Sequence, residues 1–220
     1  MYCVIVGDIV NSREMSHEVR EKVTRAAQEA FDRINAGYAD SLVTTFGMVR
    51  GDAFEGVMLT TRHAARIVQD IIKAFYREEK TAVRVSVVFG ELTVIGDDRN
   101  ITDGPAFHKA FDDLERMKGR RSTHWLQASF DVGDRVRPLV DSNMALLSAL
   151  TGGWTERQRE TVWAMEEHNC QQKAVSEEMG IPPSVVSKQL KAASFDAYRK
   201  AWDGLAEYLA VTMPPGSVKR

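Results

Sequence analysis

The sequence predicts an α+β fold: a small sheet with helices over residues 1–140, then an all-helical region over 141–212. Two observations carry this. Up to about residue 140, short apolar runs of strand length alternate with segments of 3.6-residue periodicity; from Asp141 onward the periodicity is wholly helical. The 220 residues, 44% of them apolar, suffice for one large core or two modest ones.

The first strand is expected over Tyr2–Gly7, ending on Asp8 and a polar turn through Arg13. Ser16 can cap a helix to about Ala36, where Val19, Val23, Ala27, Phe31 and Ile34 share one face and Gly37 supplies a stop. Strands over Leu42–Val49 and Ala53–Thr60 flank Gly51-Asp52, a Gly-then-polar hairpin signal. A helix over Arg62–Arg77 buries Ala65, Val68, Ile72 and Phe75. Valine-rich Val83–Phe89 forms the next strand, with Leu92–Ile95 as an extension. The order βαββαβ is that of a ferredoxin-like, palm-type antiparallel sheet with both helices on one face. Strand one then lies beside strand three.

Thr102 or Asp103 caps a third helix, which has Pro105 in its first turn, runs to about Lys118 and turns Phe107, Phe111 and Leu114 inward. Residues 119–123 are a basic loop. His124–Phe130 and Val136–Val140 read as a closing hairpin or edge strands. Met144, Leu147 and Leu150 mark a linker helix ending at Gly152-Gly153, and Thr155 caps a helix to about His168. Gln171–Met179, a Gly180-Ile181 turn and Pro182–Ala193 form a helix pair. Phe195–Val211 is the last helix, striped by Tyr198, Trp202, Leu205 and Leu209, before a flexible Pro/Gly-rich tail over 213–220.

A net charge of −2 exerts no overall pull toward nucleic acid or an anionic membrane, so such binding would need a local patch. Cys3 and Cys170, the two cysteines, lack metal-site spacing and read as buried small hydrophobes. With no signal segment or span-length apolar run, the reading is a cytoplasmic protein without a membrane partner.

Pairing strands one and three antiparallel brings Asp8 opposite Asp52. Two carboxylates about 4 Å apart repel by roughly 4 kcal/mol at an effective dielectric near 20. A shared proton, a basic partner or a divalent cation must neutralise them, and the reading favours the cation, Mg²⁺ or Mn²⁺. Against this, Asp is common at strand ends and turns for purely local reasons.

Gly-Asp-Ile-Val-Asn-Ser-Arg (7–13), Arg-Gly-Asp-Ala-Phe-Glu-Gly (50–56), Asp-Gly-Pro-Ala-Phe-His-Lys-Ala (103–110) and Thr-Glu-Arg-Gln-Arg-Glu (155–160) resemble the SatD family over nearly the whole chain. The N-terminal part is also distantly similar to the palm domains of class III nucleotidyl cyclases and GGDEF-type diguanylate cyclases. Those enzymes hold two divalent metals on an Asp ending strand one and an Asp at the hairpin. The resemblance implies metal ligands at Asp8, the Ile9 carbonyl and Asp52. It implies a nucleotide or phosphorylated ligand near Asn11, Ser12, Arg13, Gly51, Gly104 and His108. Several positions depart from the enzymes. Ala53 replaces the Glu after the diguanylate-cyclase hairpin Asp, and Met48 the base-reading Lys of class III cyclases; their helix Asn and Arg are His108 and Asp112. Binding survives this comparison better than catalysis does.

Residues 174–190 are similar to the helix-turn-helix of sigma-factor or LuxR type, with seven positions matching in type and spacing. Val175 and Met179 bury the first helix, Gly180 turns left-handed, Ile181 plugs the turn, and Val186 and Leu190 anchor the second helix. Ser184, Val185, Ser187, Lys188, Gln189 and Lys191 would face DNA. Residues 155–200 hold seven basic and seven acidic side chains, a weak electrostatic footprint for that role. The expected function is a DNA-binding regulator, by analogy a homodimer on two half-sites, whose palm-like domain senses a ligand. The alternatives are a divergent metal-dependent nucleotidyl cyclase or transferase, and a non-catalytic interaction scaffold.

Overall fold

The computed structural model describes residues 1–93, 102–119 and 124–212. Among them β1 (Tyr2–Ile9), β2 (Leu42–Arg50), β3 (Ala53–Met58), β4 (Val83–Gly90) and β5 (Leu126–Asp131) form one sheet in the order β2-β3-β1-β4-β5. β1 runs antiparallel to both neighbours, whereas β5 lies parallel to β4. The expected βαββαβ unit is present, extended by a fifth strand into a mixed sheet.

Side chains alternate across β1. Cys3, Ile5 and Ile9 face α1 (His17–Gly37) and α2 (Ala64–Arg77), while Val4 and Val6 face α3 (Pro105–Lys118) through Ala106, Phe107, Ala110 and Leu114. Ser16 caps α1, its hydroxyl accepting the Val19 N–H at 3.3 Å. Gly7 and Gly56 are small for a packing reason. A Cβ on Gly7 would stand 2.1 Å from the Phe54 ring, and one on Gly56 2.5 Å from the Phe46 ring. The bare backbone admits a cluster in which Phe54 lies 5.5 Å from Phe31 and 5.4 Å from Phe75, centroid to centroid.

Four expectations are corrected. Val136–Val140 is no strand: α4 (Arg137–Gly152) starts there, with Pro138 in the first turn, where its missing N–H costs nothing. The other half of that supposed hairpin is β5, reached from β4 by crossover through α3. Phe111 is 42% exposed, because α3 meets the sheet along the Ala106–Phe107–Ala110–Leu114 stripe. Gly104 occupies the N-cap of α3, and Asp103 Oδ1 accepts the Gly104 N–H at 2.7 Å. Cys3 is fully buried, but Cys170 is half-buried beside Arg199. The strand extension falls partly on residues 94 and 95 and the tail on 213–220, outside the described residues, as does most of the 119–123 loop.

The helical region is α4, α5 (Glu156–Glu167), α6 (Gln172–Met179), α7 (Pro183–Ala192) and α8 (Phe195–Thr212). Thr155 and Gln158 close a capping box on α5. The apolar core continues from the α1/α2 face of the sheet into these helices through Trp125, Trp154, Trp163, Tyr198 and Trp202. Lys73 of α2 pairs with Glu166 of α5 at 2.5 Å, and the Thr61 hydroxyl donates to the Leu209 carbonyl of α8 at 2.8 Å. Among the described residues no helix is long and apolar enough to cross a membrane.

Candidate ligand site at the sheet rim and the helix-turn-helix

Strand register builds the rim. Asp8 lies opposite Ala53 on one side and Arg84 on the other. Two residues on from Val6, it faces the α3 layer and is 6% exposed. Arg84 reaches its Oδ1 at 3.2 Å, and Lys118, at the end of α3, reaches its Oδ2 at 3.1 Å. The Lys118 ammonium is held above its ordinary pKa, first by Glu115 and then by Asp8, against a desolvation that lowers it.

Asp52 sits in the hairpin after Gly51, whose φ of 61° suits glycine. Its carbonyl accepts the Ile9 N–H at 3.1 Å, tying the turn to the end of β1. Its Oδ2 accepts the Ser12 hydroxyl. Ser12 is buried in a short 3₁₀ turn that follows left-handed Asn11, and its carbonyl accepts from Arg20 at 2.6 Å. Arg13 points to solvent. Asp8, Ile9, Asn11, Ser12, Gly51 and Asp52 are therefore neighbours at one rim.

Gly104 and His108 are not with them. They lie at the first turn of α3 and Lys118 at its last, so His108 stands about 15 Å along the helix from Lys118. Gly104 serves its own junction: a Cβ there would stand 2.6 Å from the Thr93 N and 2.7 Å from the Leu92 Cα. His108 instead pairs with Asp103, one turn back, at 3.5 Å.

The basic partner, one of the three neutralisers considered above, is what Asp8 meets. Both its oxygens carry cations, and one oxygen of Asp52 carries a hydroxyl. Among the described residues no three His, Cys, Asp or Glu side chains converge on a point that could hold a metal ion. Asp8, Ile9 and Asp52, where the resemblance implies metal ligands, lie at the same rim, with Arg84 and Lys118 on the Asp8 oxygens. Arg84 and Lys118 give the rim its character, and their pairing with Asp8 follows from register and helix length rather than from any motif.

At the other end of the chain, α6 and α7 meet across Gly180, whose φ is 61°. Val175, Val186 and Leu190 are buried and Ile181 half-buried, and the Ser176 hydroxyl donates to the Ile181 carbonyl at 2.5 Å. Ser184, Ser187, Lys188 and Lys191 are exposed on α7, with Val185 and Gln189 half-buried.

Several solved structures share a likeness with this chain. The catalytic core of a rhodopsin-guanylyl cyclase with converted specificity, in complex with ATPαS, is 20% identical, covering 52% of this chain and 71% of its own, at a TM-score of 0.40. The guanylate cyclase domain of RhGC from Catenaria anguillulae, in complex with GTP, is 19% identical over 50% and 69%, at 0.37. A regulator of polyketide synthase expression from Bifidobacterium adolescentis is 12% identical over 94% and 77%, at 0.28. Likeness at this level transfers no residue's role. No curated protein matches. The profile of the SatD family matches residues 2–208.

Proposed function

The chain belongs to the SatD family, and on that premise we propose a DNA-binding regulator that senses a nucleotide or other phosphorylated ligand at the Asp8/Asp52 rim. The observation that carries this reading is the α6–Gly180–α7 unit. Its apolar anchors point inward, while Ser184, Ser187, Lys188 and Lys191 present a polar, doubly basic row outward. The rim adds what a phosphate needs: the Lys118 ammonium, the Arg84 guanidinium and the Ser12 hydroxyl. A ligand there shifts DNA binding only if it prefers one arrangement of the helices. The continuous core between sheet and helices supplies a physical route for that preference.

Mg²⁺ or Mn²⁺ enters this reading as a competitor of Lys118 for one oxygen of Asp8. A homodimer would match two half-sites, and sedimentation with and without DNA measures it.

The test is selection from a random duplex pool, followed by binding isotherms at several salt concentrations. Enrichment of a sequence is expected, with affinity falling as salt rises. The double variant Lys188→Ala/Lys191→Ala should reduce the log–log salt slope by about 2. A pool that never enriches sinks the regulator. For the rim, a thermal-shift screen of nucleotides should give a rise that Ser12→Ala and Lys118→Ala abolish. Product formed from the nucleotide would replace sensing with metal-dependent nucleotidyl transfer.

A further inference from the structure

A second site lies away from the rim, between the end of α2 and one face of α5, reaching Met179 at the end of α6. It is a cleft of about 510 Å³. Arg159 projects into its wall and is only 9% exposed. The guanidinium lies 4.6 Å from the Tyr76 ring centroid and 5.7 Å from that of Trp125. Among the described residues no carboxylate pairs with it, and its Nε is buried without a hydrogen-bond partner.

The other charges of the cleft are largely matched. Arg77 pairs with Glu167 at 2.6 Å, Lys80 with Glu156 at 3.3 Å and Glu79 with Lys22 at 3.0 Å, while Glu178 hydrogen-bonds the His168 ring. Arg157 and Glu160 remain as exposed, opposite charges at the mouth. The interior is left with one unmatched positive charge. Burying an ion without a partner costs several kcal/mol, and stacking on rings returns only about 0.5–2. A guanidinium cannot escape by losing its proton.

We propose that this cleft binds a small organic anion, a carboxylate or a phosphate monoester, with Arg159 as its fork-shaped anchor. The apolar body of the ligand would lie against Trp163, Ala164 and Met179. An occupant would touch both α2 beneath the sheet and α6 of the helix-turn-helix, the place an effector of the helical region would take. The site stands whether or not α7 meets DNA.

The test uses the full chain, titrated with benzoate, phenyl phosphate and inorganic phosphate. Tryptophan fluorescence follows binding, since Trp125 and Trp163 lie at Arg159 and the cleft wall. Phenyl phosphate or benzoate should saturate the signal, and Arg159→Met should weaken binding at least tenfold, about 1.4 kcal/mol. Arg159→Lys, which keeps the charge but loses the fork, should fall between. Hydrogen exchange on the unaltered protein fixes the location without any variant: protection is expected at 76–80 and 156–167. No saturation by any of the three probes overturns the site. So does Arg159→Met binding within twofold of the unaltered protein, or protection confined to other segments.

Discussion

Asp8 and Arg159 are buried to a similar degree and treated in opposite ways. The carboxylate at the sheet rim has two cations, one from the register of β4 and one from the end of α3. Among the described residues the guanidinium in the α2–α5 cleft meets only aromatic rings. Asp8 is matched on both oxygens from within the chain, whereas Arg159 meets no carboxylate among the described residues. The conspicuous acidic motif is thus the more self-contained of the two places. The arginine, which no motif marks, is the one left open.

Substitution should separate them. Asp8→Ala strands Arg84, whose own buried Nε already lacks a partner, and denaturant unfolding should show a loss of about 3 kcal/mol. A loss below about 1 kcal/mol would mean the rim pairing contributes little.

Alkaline pH puts the same question to a buried group with no charged partner. Cys3 faces the other side of β1, and burial pushes its thiol from 9.0 to about 12. Burial likewise raises the Tyr198 phenol, with Glu166 adding to it, well above its usual value. Folded Cys3 keeps a proton that the unfolded chain has lost, so stability is complete below pH 9 and falls as pH rises toward 12. Unfolding at pH 10.5 should show about 2 kcal/mol lost from Cys3, and Cys3→Ala should flatten the slope.

Arg159→Met, without ligand, should leave stability unchanged or raise it by up to about 1 kcal/mol, because it removes an unmatched charge. A loss beyond about 2 kcal/mol would make the arginine a structural strut. Lys118→Ala should cost less than about 1 kcal/mol, since the ammonium end is well exposed. The same change should bring out or enlarge a Mn²⁺-dependent rise in Tm. No change in the Mn²⁺ response would remove the ion from the rim.

Local chemistry was legible in the residues alone. Ser16, Thr155 and Gly180 each act within a few positions of themselves, and each does in the fold what its type suggests. The neighbourhood of Asp8 and Asp52 was legible because a hairpin and a sheet order suffice to bring them to one rim. Their counter-charges were not, since Arg84 and Lys118 arrive through a register and a helix length that sequence spacing does not print. Val136–Val140 mimics a strand until Pro138 is taken as a first-turn residue. Arg159 left a faint sign: it shares a face of α5 with Val162 and Trp163, an odd place for a cation. The rings beneath it come from Tyr76 in α2 and from Trp125, just before β5, which no local pattern could bring there.

The bond from Thr61 to Leu209 joins positions 148 apart in the chain, and this bears on synthesis. The side of α2 that packs against α8 stays uncovered until the ribosome has passed that last helix. At about 5–20 residues per second, the segment between β5 and Leu209 takes roughly 4–16 s to emerge. For that interval Trp125 and Ile72 are open to chaperones, and any delay in elongation lengthens their exposure.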